Sequence, residues 1–419
     1  MNTAKLAMRG LARNRNRSLV TLLAMAFGFA AISLFAGYTH NVYDGLSRQA
    51  IYGELLGHLT IQKRGMDTAG KLDPERYLLT PEEVAAMTAL IQAADHVKLV
   101  TPRLALSGLA SNGRASTIFL AEGITPQAMD RLQEGGLTAY EIEHGFDKLV
   151  AKKLDPARQE VVNVSEGLLE LLNLENGGDA ALLVNTLTGQ ANALDVSVGG
   201  GFNTGNAGTN DKFIFMPLAL AQSLLDAEGR ADRLTVLLDD VDQTGPLAAK
   251  LLHTLQAAGY DVEIKTWVDL SAFYRQVHDM FDMIFGFIFA IVLTVVVMSV
   301  ANSMGMAVVE RTREIGTLRA IGLKRLGVVR LFATESLLLA LIGCGVGVLI
   351  TLGVRWGINA ADIAYVPPNS VRPVPLLVDL DLMRMGLTLA MMLAVGTIAA
   401  LLPARRAARQ PIIDALGHV

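Results

Sequence analysis

Cysteine is almost absent from these 419 residues. Cys344 stands alone inside an apolar run, which excludes an intrachain disulfide and a multi-cysteine metal site. Charge is scarce as well: Asp, Glu, Lys and Arg make up 18% of the chain, where soluble proteins carry about 25%. The seven His are scattered with no pair at ligand spacing, so each reads as a surface or core residue. No G-x-S-x-G, S-x-x-K or H-E-x-x-H occurs, so no hydrolase constellation is visible. Catalytic, directly bound cofactor and metal residues are therefore all expected to be none. Nucleic acid is not an expected partner.

What the chain does have is apolar length, with 52% hydrophobic residues very unevenly placed. Ser18 to Tyr38 runs without a charge, long enough for a bilayer core of about 30 Å. Lys5, Arg9, Arg13, Arg15 and Arg17 precede it with no acid among them. The run exceeds a signal peptide's usual apolar region of about 7–15 residues and lacks a small-x-small cleavage site, so an uncleaved anchor is expected. Three more runs follow: Met283 to Val309, Leu331 to Val354, which holds Glu335 near one end where a carboxylate can reach water or Arg330, and Met385 to Ala404. The Gly343/Gly347 spacing in the third permits close packing of membrane helices.

Charge sets the orientation. The stretch Glu310–Arg330 has six Lys or Arg against two Glu, and the tail after Ala404 has three Arg against one Asp. With the basic N-terminal segment, these lie on one face if there are four spans, so both termini are expected in the cytoplasm. Thr39 to Asp282 carries 19 Lys or Arg against 33 Asp or Glu and belongs on the other side. The expected layout is a cytoplasmic segment 1–17, helix 1 and stalk 18–50, an outer domain 51–270, and stalk and helix 2 over 271–309. A cytoplasmic segment 310–330, helix 3 over 331–354, an outer loop 355–384, helix 4 over 385–404 and a cytoplasmic tail 405–419 complete it. The fold class is thus an α-helical membrane protein with four transmembrane helices and a large α/β (α+β) domain inserted between helices 1 and 2.

Within the outer domain, Thr80-Pro81-Glu82-Glu83 is an N-cap followed by Pro and acids, opening a helix to about Ala94. His58–Lys63, Val97–Leu106, Thr117–Ala121, Leu234–Leu238 and Asp261–Lys265 read as strands, and Pro246–Ala258 as a helix. Between them, about 114–233 reads as an inserted lobe, with strands near Ala181–Asn185 and Ala193–Val198 and a helix over Leu218–Ala227. The outer strand–helix–strand pieces are expected to form one small mixed sheet, with the lobe standing further out. Helical patterning continues past the spans over Thr39–Ile51 and Ser271–Asp282, which reads as a stalk.

Two glycine motifs carry no function on this reading. Gly65-Met66-Asp67-Thr68-Ala69-Gly70-Lys71 begins like a P-loop, but Leu72 replaces the Ser or Thr that would hold Mg²⁺, and Asp73-Pro74 argues against a helix start there. Gly199-Gly200-Gly201 opens a long Gly/Asn stretch to Asp211, expected to be a turn or partner-contact loop. The Glu310–Arg330 stretch differs. Ile315, Leu318, Ile321 and Leu323 fall at near-helical spacing beside the charges, with breaks at Gly316 and Gly322. That pattern fits an amphipathic helix resting on lipid or docked in a groove of a soluble partner.

E-R-T-R-E-I-G-T-L-R-A-I-G between spans 2 and 3, and L-P-A-R-R-A-A-R-Q-P-I-I-D-A-L after span 4, resemble the signatures of FtsX-type ABC transporter permeases, the MacB and LolC–LolE group. The four-span layout and the pattern over Gly201–Leu225 agree with it. The resemblance implies a bacterial inner-membrane permease with its large domain in the periplasm. It implies that a coupling helix matched by Glu310–Gly322 docks on a cytoplasmic ABC ATPase subunit present in two copies, through Glu310, Arg311, Arg313, Glu314, Ile315, Leu318, Arg319, Ile321 and Gly322. It implies pairing with a second permease subunit, ATP and Mg²⁺ bound only by the partner ATPase, and a possible periplasmic carrier or adaptor. Mechanotransmission to the periplasmic domain for release of a lipoprotein or other amphiphile is the expected function. Export of a small molecule or peptide through an adaptor and outer-membrane channel, or force transmission to a periplasmic enzyme, are the alternatives. No ATPase segment is recognised in the chain, so hydrolysis is expected in a separate subunit. The large outer domain disfavours a cell-division role.

Overall fold

The computed structural model describes residues 15–70, 72–137, 142, 150–366 and 373–416. Lys5, Arg9, Arg13 and Lys71 lie outside them. In chain order the main elements are α1 (Arg15–Arg48), β1 (Leu59–Lys63), α2 (Pro81–Gln92), β2 (Val97–Ser111), β3 (Ser116–Ile124), α3 (Pro126–Gln133), β4 (Val161–Ser165), α4 (Glu166–Leu171), β5 (Asp179–Asn185), β6 (Ala191–Phe202), β7 (Phe213–Pro217), α5 (Leu218–Leu225), β8 (Arg233–Leu238), α6 (Thr244–Ala257), β9 (Val262–Thr266), α7 (Ala272–Glu310), α8 (Thr312–Ala320), α9 (Arg325–Ala360), α10 (Leu382–Arg409) and α11 (Ile412–Leu416). The chain divides into a helical unit and an α/β unit.

In the helical unit, four helices are long and apolar enough to cross a membrane: those within Ser18–Gly53, Ala272–Glu310, Arg325–Ala360 and Leu382–Arg409. Each outlasts its apolar run. Near residue 40, α1 and α7 are joined by aromatic rings: Tyr43 stacks on His278 with centroids 4.8 Å apart, and Tyr38 meets Phe281 edge-on. The Tyr43 hydroxyl donates to Asp282 Oδ1 at 3.2 Å. Lower down, α9 approaches α1 so closely that a Cβ on Gly343 would lie 2.9 Å from Met25 Cβ, and one on Gly347 would lie 2.8 Å from Ala26 O. Only a missing side chain permits this spacing.

The α/β unit is organised by β2. Its first half, Val97 to Arg103, pairs antiparallel with β8; from Arg103 to Ser111 it pairs with β3. The first half belongs to a sheet ordered β9-β1-β8-β2. All of its pairings are antiparallel, where a mixed sheet was expected. The second half belongs to a closed ring. β2 pairs with β3, β3 with β7, β7 with β4, β4 with β6, β6 with β5, and β5 returns to Leu109–Ser111 of β2. The lobe is thus a ring entered and left through one long strand. Arg103, where β2 changes partner, is 1% exposed. It donates to Leu55 O at 2.5 Å and pairs with Glu122, which also receives Arg233.

Each half has its own apolar core. Leu106, Phe119, Val164, Leu182 and Met216 fill the ring, closed by Leu168 of α4 and Leu224 of α5. Leu59, Ile61 and Val236 pack under Met87 and Ile91 of α2 and Leu251 and Leu255 of α6. α2 begins with a capping box in which the Thr80 side chain accepts from the Glu83 N–H and the Glu83 side chain accepts from the Thr80 N–H.

Several local expectations are corrected. Gly199-Gly200-Gly201 is not loop but the last part of β6. A Cβ at Gly199 would meet Val161 Cγ1 at 2.5 Å and one at Gly201 would meet Leu169 of α4 at 2.9 Å, so the glycines admit close neighbours within a strand. Pro74, read as blocking a helix, starts the short helix Pro74–Tyr77, because proline at the first helical position removes no internal hydrogen bond. β4, α4 and α3 were not anticipated.

Candidate functional site

The 310–330 segment is built as helix, joint, helix and turn. α7 ends at Glu310, so that residue closes the long helix rather than opening the coupling helix. Arg311 leaves helical geometry, with φ −110° and ψ 14°, and α8 resumes at Thr312. The Thr312 hydroxyl bridges the joint by donating to Val308 O at 3.0 Å. At the other end Gly322 has φ 107°. There the Gly322 N–H donates to Arg319 O at 3.1 Å and the Leu323 N–H to Leu318 O at 3.0 Å. This is a Schellman cap, and its left-handed residue is one that glycine adopts without strain.

The expected apolar stripe divides. Ile315 is 4% exposed and joins the core of the helical unit, whereas Ile321 is 81% exposed. α8 ends at Ala320, so helical spacing no longer governs Ile321. Glu310, Arg313, Glu314 and Gly322 are exposed; Leu318 and Arg319 are half-buried. Gly316, expected as a break, lies buried inside α8.

Two features escaped the sequence reading. First, α11 packs against α8, with Ala415 buried and Ile413 exposed. The Arg319 guanidinium donates to Gln410 O, at the turn between α10 and α11. The Gln410-Pro411 step before an Ile-Ile pair was the available signal, since the residue before a proline is disfavoured in helical geometry and a proline suits the start of a new helix. Second, Arg311, expected among the residues that dock the ATPase, instead turns inward to Glu335 at 3.0 Å, leaving their side chains 11% and 4% exposed, so its guanidinium is withdrawn from the outer face that Arg313 and Glu314 present. Water or Arg330 was the expected partner of Glu335. Arg330 lies five residues before Glu335, which places it about 140° away around the helix, and it is exposed.

The Gly/Asn stretch, reduced to 203–212, is fastened by side chains. The Thr204 N–H donates to Asn210 Oδ1 at 3.1 Å and the Gly205 N–H to Asn203 Oδ1 at 2.9 Å. Asn203 donates to Glu166 Oε2 at 2.9 Å, and Gln49 to Thr204 O at 3.1 Å. Among the described residues no group of His, Cys, Asp and Glu could hold a metal ion. The 310–330 segment thus presents a short capped helix with Arg313 and Glu314 exposed, Ile321 projecting just past its end, and Ile413 of the adjoining α11 also exposed.

Four apolar helices with an α/β domain inserted after the first define a polytopic membrane permease fold. The chain belongs to the FtsX/MacB family of ABC transporter permeases: the FtsX-like permease C-terminal model matches residues 286–412 and the MacB-like periplasmic core domain model residues 18–253. It is similar to the macrolide export ATP-binding/permease protein MacB of Chromobacterium violaceum, with 25% identity over 99% of this chain and 60% of that protein. The pyoverdine export ATP-binding/permease protein PvdT of Pseudomonas putida is 24% identical over 99% of this chain and 59% of its own length. The ABC transporter permease YtrF of Bacillus subtilis is 23% identical over 84% of this chain and 83% of its own. The chain therefore spans about 60% of the length of the first two. The solved periplasmic region of MacB from Actinobacillus actinomycetemcomitans is 15% identical, covers 53% of this chain and 92% of that one, and gives a TM-score of 0.34.

Proposed function

We propose that this permease receives the motion of a cytoplasmic ABC ATPase at α8 and delivers it to the periplasmic domain, acting in the bacterial inner membrane with both termini in the cytoplasm. The observation that carries this reading is the outer face of the 310–330 segment. A rigid, capped helix with Ile321 81% exposed beside Arg313 and Glu314 suits a groove on a soluble partner. Two ATPase copies would act on two permeases, ATP and Mg²⁺ being held by the ATPase.

Cargo is then handled on the periplasmic side. In support, Glu335, the acid within the third apolar run, is paired with Arg311 and its side chain is 4% exposed, whereas an ionisable group serving a polar substrate path would face a water-filled cavity. The two relatives matched over 99% of the chain are a macrolide and a pyoverdine export protein, which favours export of a small molecule or peptide; an adaptor and outer-membrane channel would be the further partners of that reading. Release of a lipoprotein to a periplasmic carrier is the second reading. It follows from the same placement of work at the outer leaflet.

Reversing the charges of Glu310 and Glu314, or replacing Ile321 by Asp, should remove an ABC ATPase from the complex purified through this chain. Full retention of the ATPase with unchanged coupling refutes the docking assignment. In cells lacking the chain, inner-membrane retention of lipoproteins, scored against loss of small-molecule efflux, separates the two cargo readings.

A further inference from the structure

We propose that Glu335 is a positioning residue for energy coupling: through its ion pair with Arg311 it ties the joint between α7 and α8 to α9, and thereby to α10. The inference rests on the coupling role of α8 proposed above, and it assigns the route by which a push on that helix enters the bundle.

The route is laid out by two consecutive residues of α9. Glu335 holds Arg311 at 3.0 Å on one side. Ser336, 0% exposed, donates its hydroxyl to Gly396 O of α10 at 2.7 Å. A Cβ at Gly396 would meet Met25 Cε of α1 at 2.8 Å, so α1 closes over the same level. Arg311 is the single residue between α7 and α8, and it is the one whose backbone is not helical. Displacement of α8 is therefore taken up at Arg311, and the guanidinium anchored on Glu335 draws α9 with it.

A buried ion pair is a poor choice for stability alone, because well-packed apolar residues of similar size often serve as well or better. What it adds is direction. A charge-assisted hydrogen bond fixes one atom against another, whereas an apolar contact can slide. Its location at a joint rather than in the middle of two rigid helices is what assigns the pair to transmission.

The test uses the full chain with its bound ATPase in nanodiscs, reading hydrogen exchange over residues 382–396 with and without ATP plus vanadate, alongside the ATPase rate. Two variants are compared with the wild type: Glu335→Gln, and the apolar pair Arg311→Met/Glu335→Leu, which leaves no unpaired charge and so retains the fold if the single variant does not. Both should keep the ATPase bound, while the nucleotide-dependent change in exchange falls about tenfold. A merely structural pair would be rescued by the apolar replacement, so full nucleotide response in that variant overturns the inference. Loss of ATPase binding in the folded variants overturns it too, because Glu335 would then shape the docking surface. Docking itself is read separately, from ATPase held by the wild-type chain.

Discussion

Arg103, buried, and Arg311, drawn inward to 11% exposure, both stand in ion pairs, and their settings differ. Arg103 sits in the α/β unit at the residue where β2 exchanges β8 for β3. It meets Glu122 and the Leu55 carbonyl, with Arg233 and Asp232 in the same cluster. Its neighbours are strands held in register on both sides. Arg311 meets one carboxylate, and its own backbone is the break between two helices. The contrast teaches that a buried ion pair takes its role from the backbone around it. Surrounded by ladder hydrogen bonds it fixes a branch point; at an interrupted helix it can carry displacement.

The comparison is broken most directly at Arg103. Arg103→Met leaves Glu122 with Arg233 alone, at the point where both cores join, and should cost about 4 kcal/mol. Urea unfolding would show this as collapse of the α/β unit's transition. A shift below about 1 kcal/mol would show the cluster to be dispensable. The next largest effect tests the helical unit without touching a charge. Gly347→Leu forces side-chain atoms against the Ala26 carbonyl and should cost about 3 kcal/mol. Gly345→Leu, where a Cβ meets nothing within 4 Å, is the control. Thermal denaturation in detergent should separate them, and equal midpoints would remove the close-approach argument.

The smallest effect comes from His58, 1% exposed, whose Nδ1 accepts from the Leu238 N–H at 3.1 Å. Burial, reinforced by Lys98, lowers its pKa from 6.5 to about 4. Above pH 6.5 the ring is neutral folded or unfolded. Between pH 6.5 and 4 the unfolded chain takes up a proton that the folded chain refuses, so stability falls by about 2 kcal/mol at pH 5. His58→Asn keeps an acceptor and should flatten that part of the stability–pH curve. An unchanged slope would assign the acid sensitivity elsewhere.

The helical unit was legible in the sequence because lipid imposes long uncharged runs, and the basic segments between them stand out against that background. The outer strands were legible where a run of β-branched and apolar residues ends in a turn, as at Leu234–Leu238. The ring was not legible. Nothing in Val97–Leu106 announces that the strand continues to Ser111 with new partners, because pairing is decided by distant sequence. Gly199–Gly201 misled for a related reason. Glycine signals a turn locally, and only the presence of Val161 and Leu169 makes it the fitting strand residue. At the candidate site, the residue types were readable but their facing was not. Ile315 and Ile321 look alike in sequence, and the helix end at Ala320 sends one into the core and the other outward.

Closure of the ring has a consequence for association. A ring of paired strands has no free backbone edge, so within the nine-stranded sheet the open sides among the described residues include one side of the first half of β2, which pairs with β8 alone, and one side of β9. The β9 edge carries Glu263 and Lys265, and charges on an edge discourage a further strand from adding. Along β9, therefore, an approaching chain meets charged side chains rather than a ready template for β-pairing.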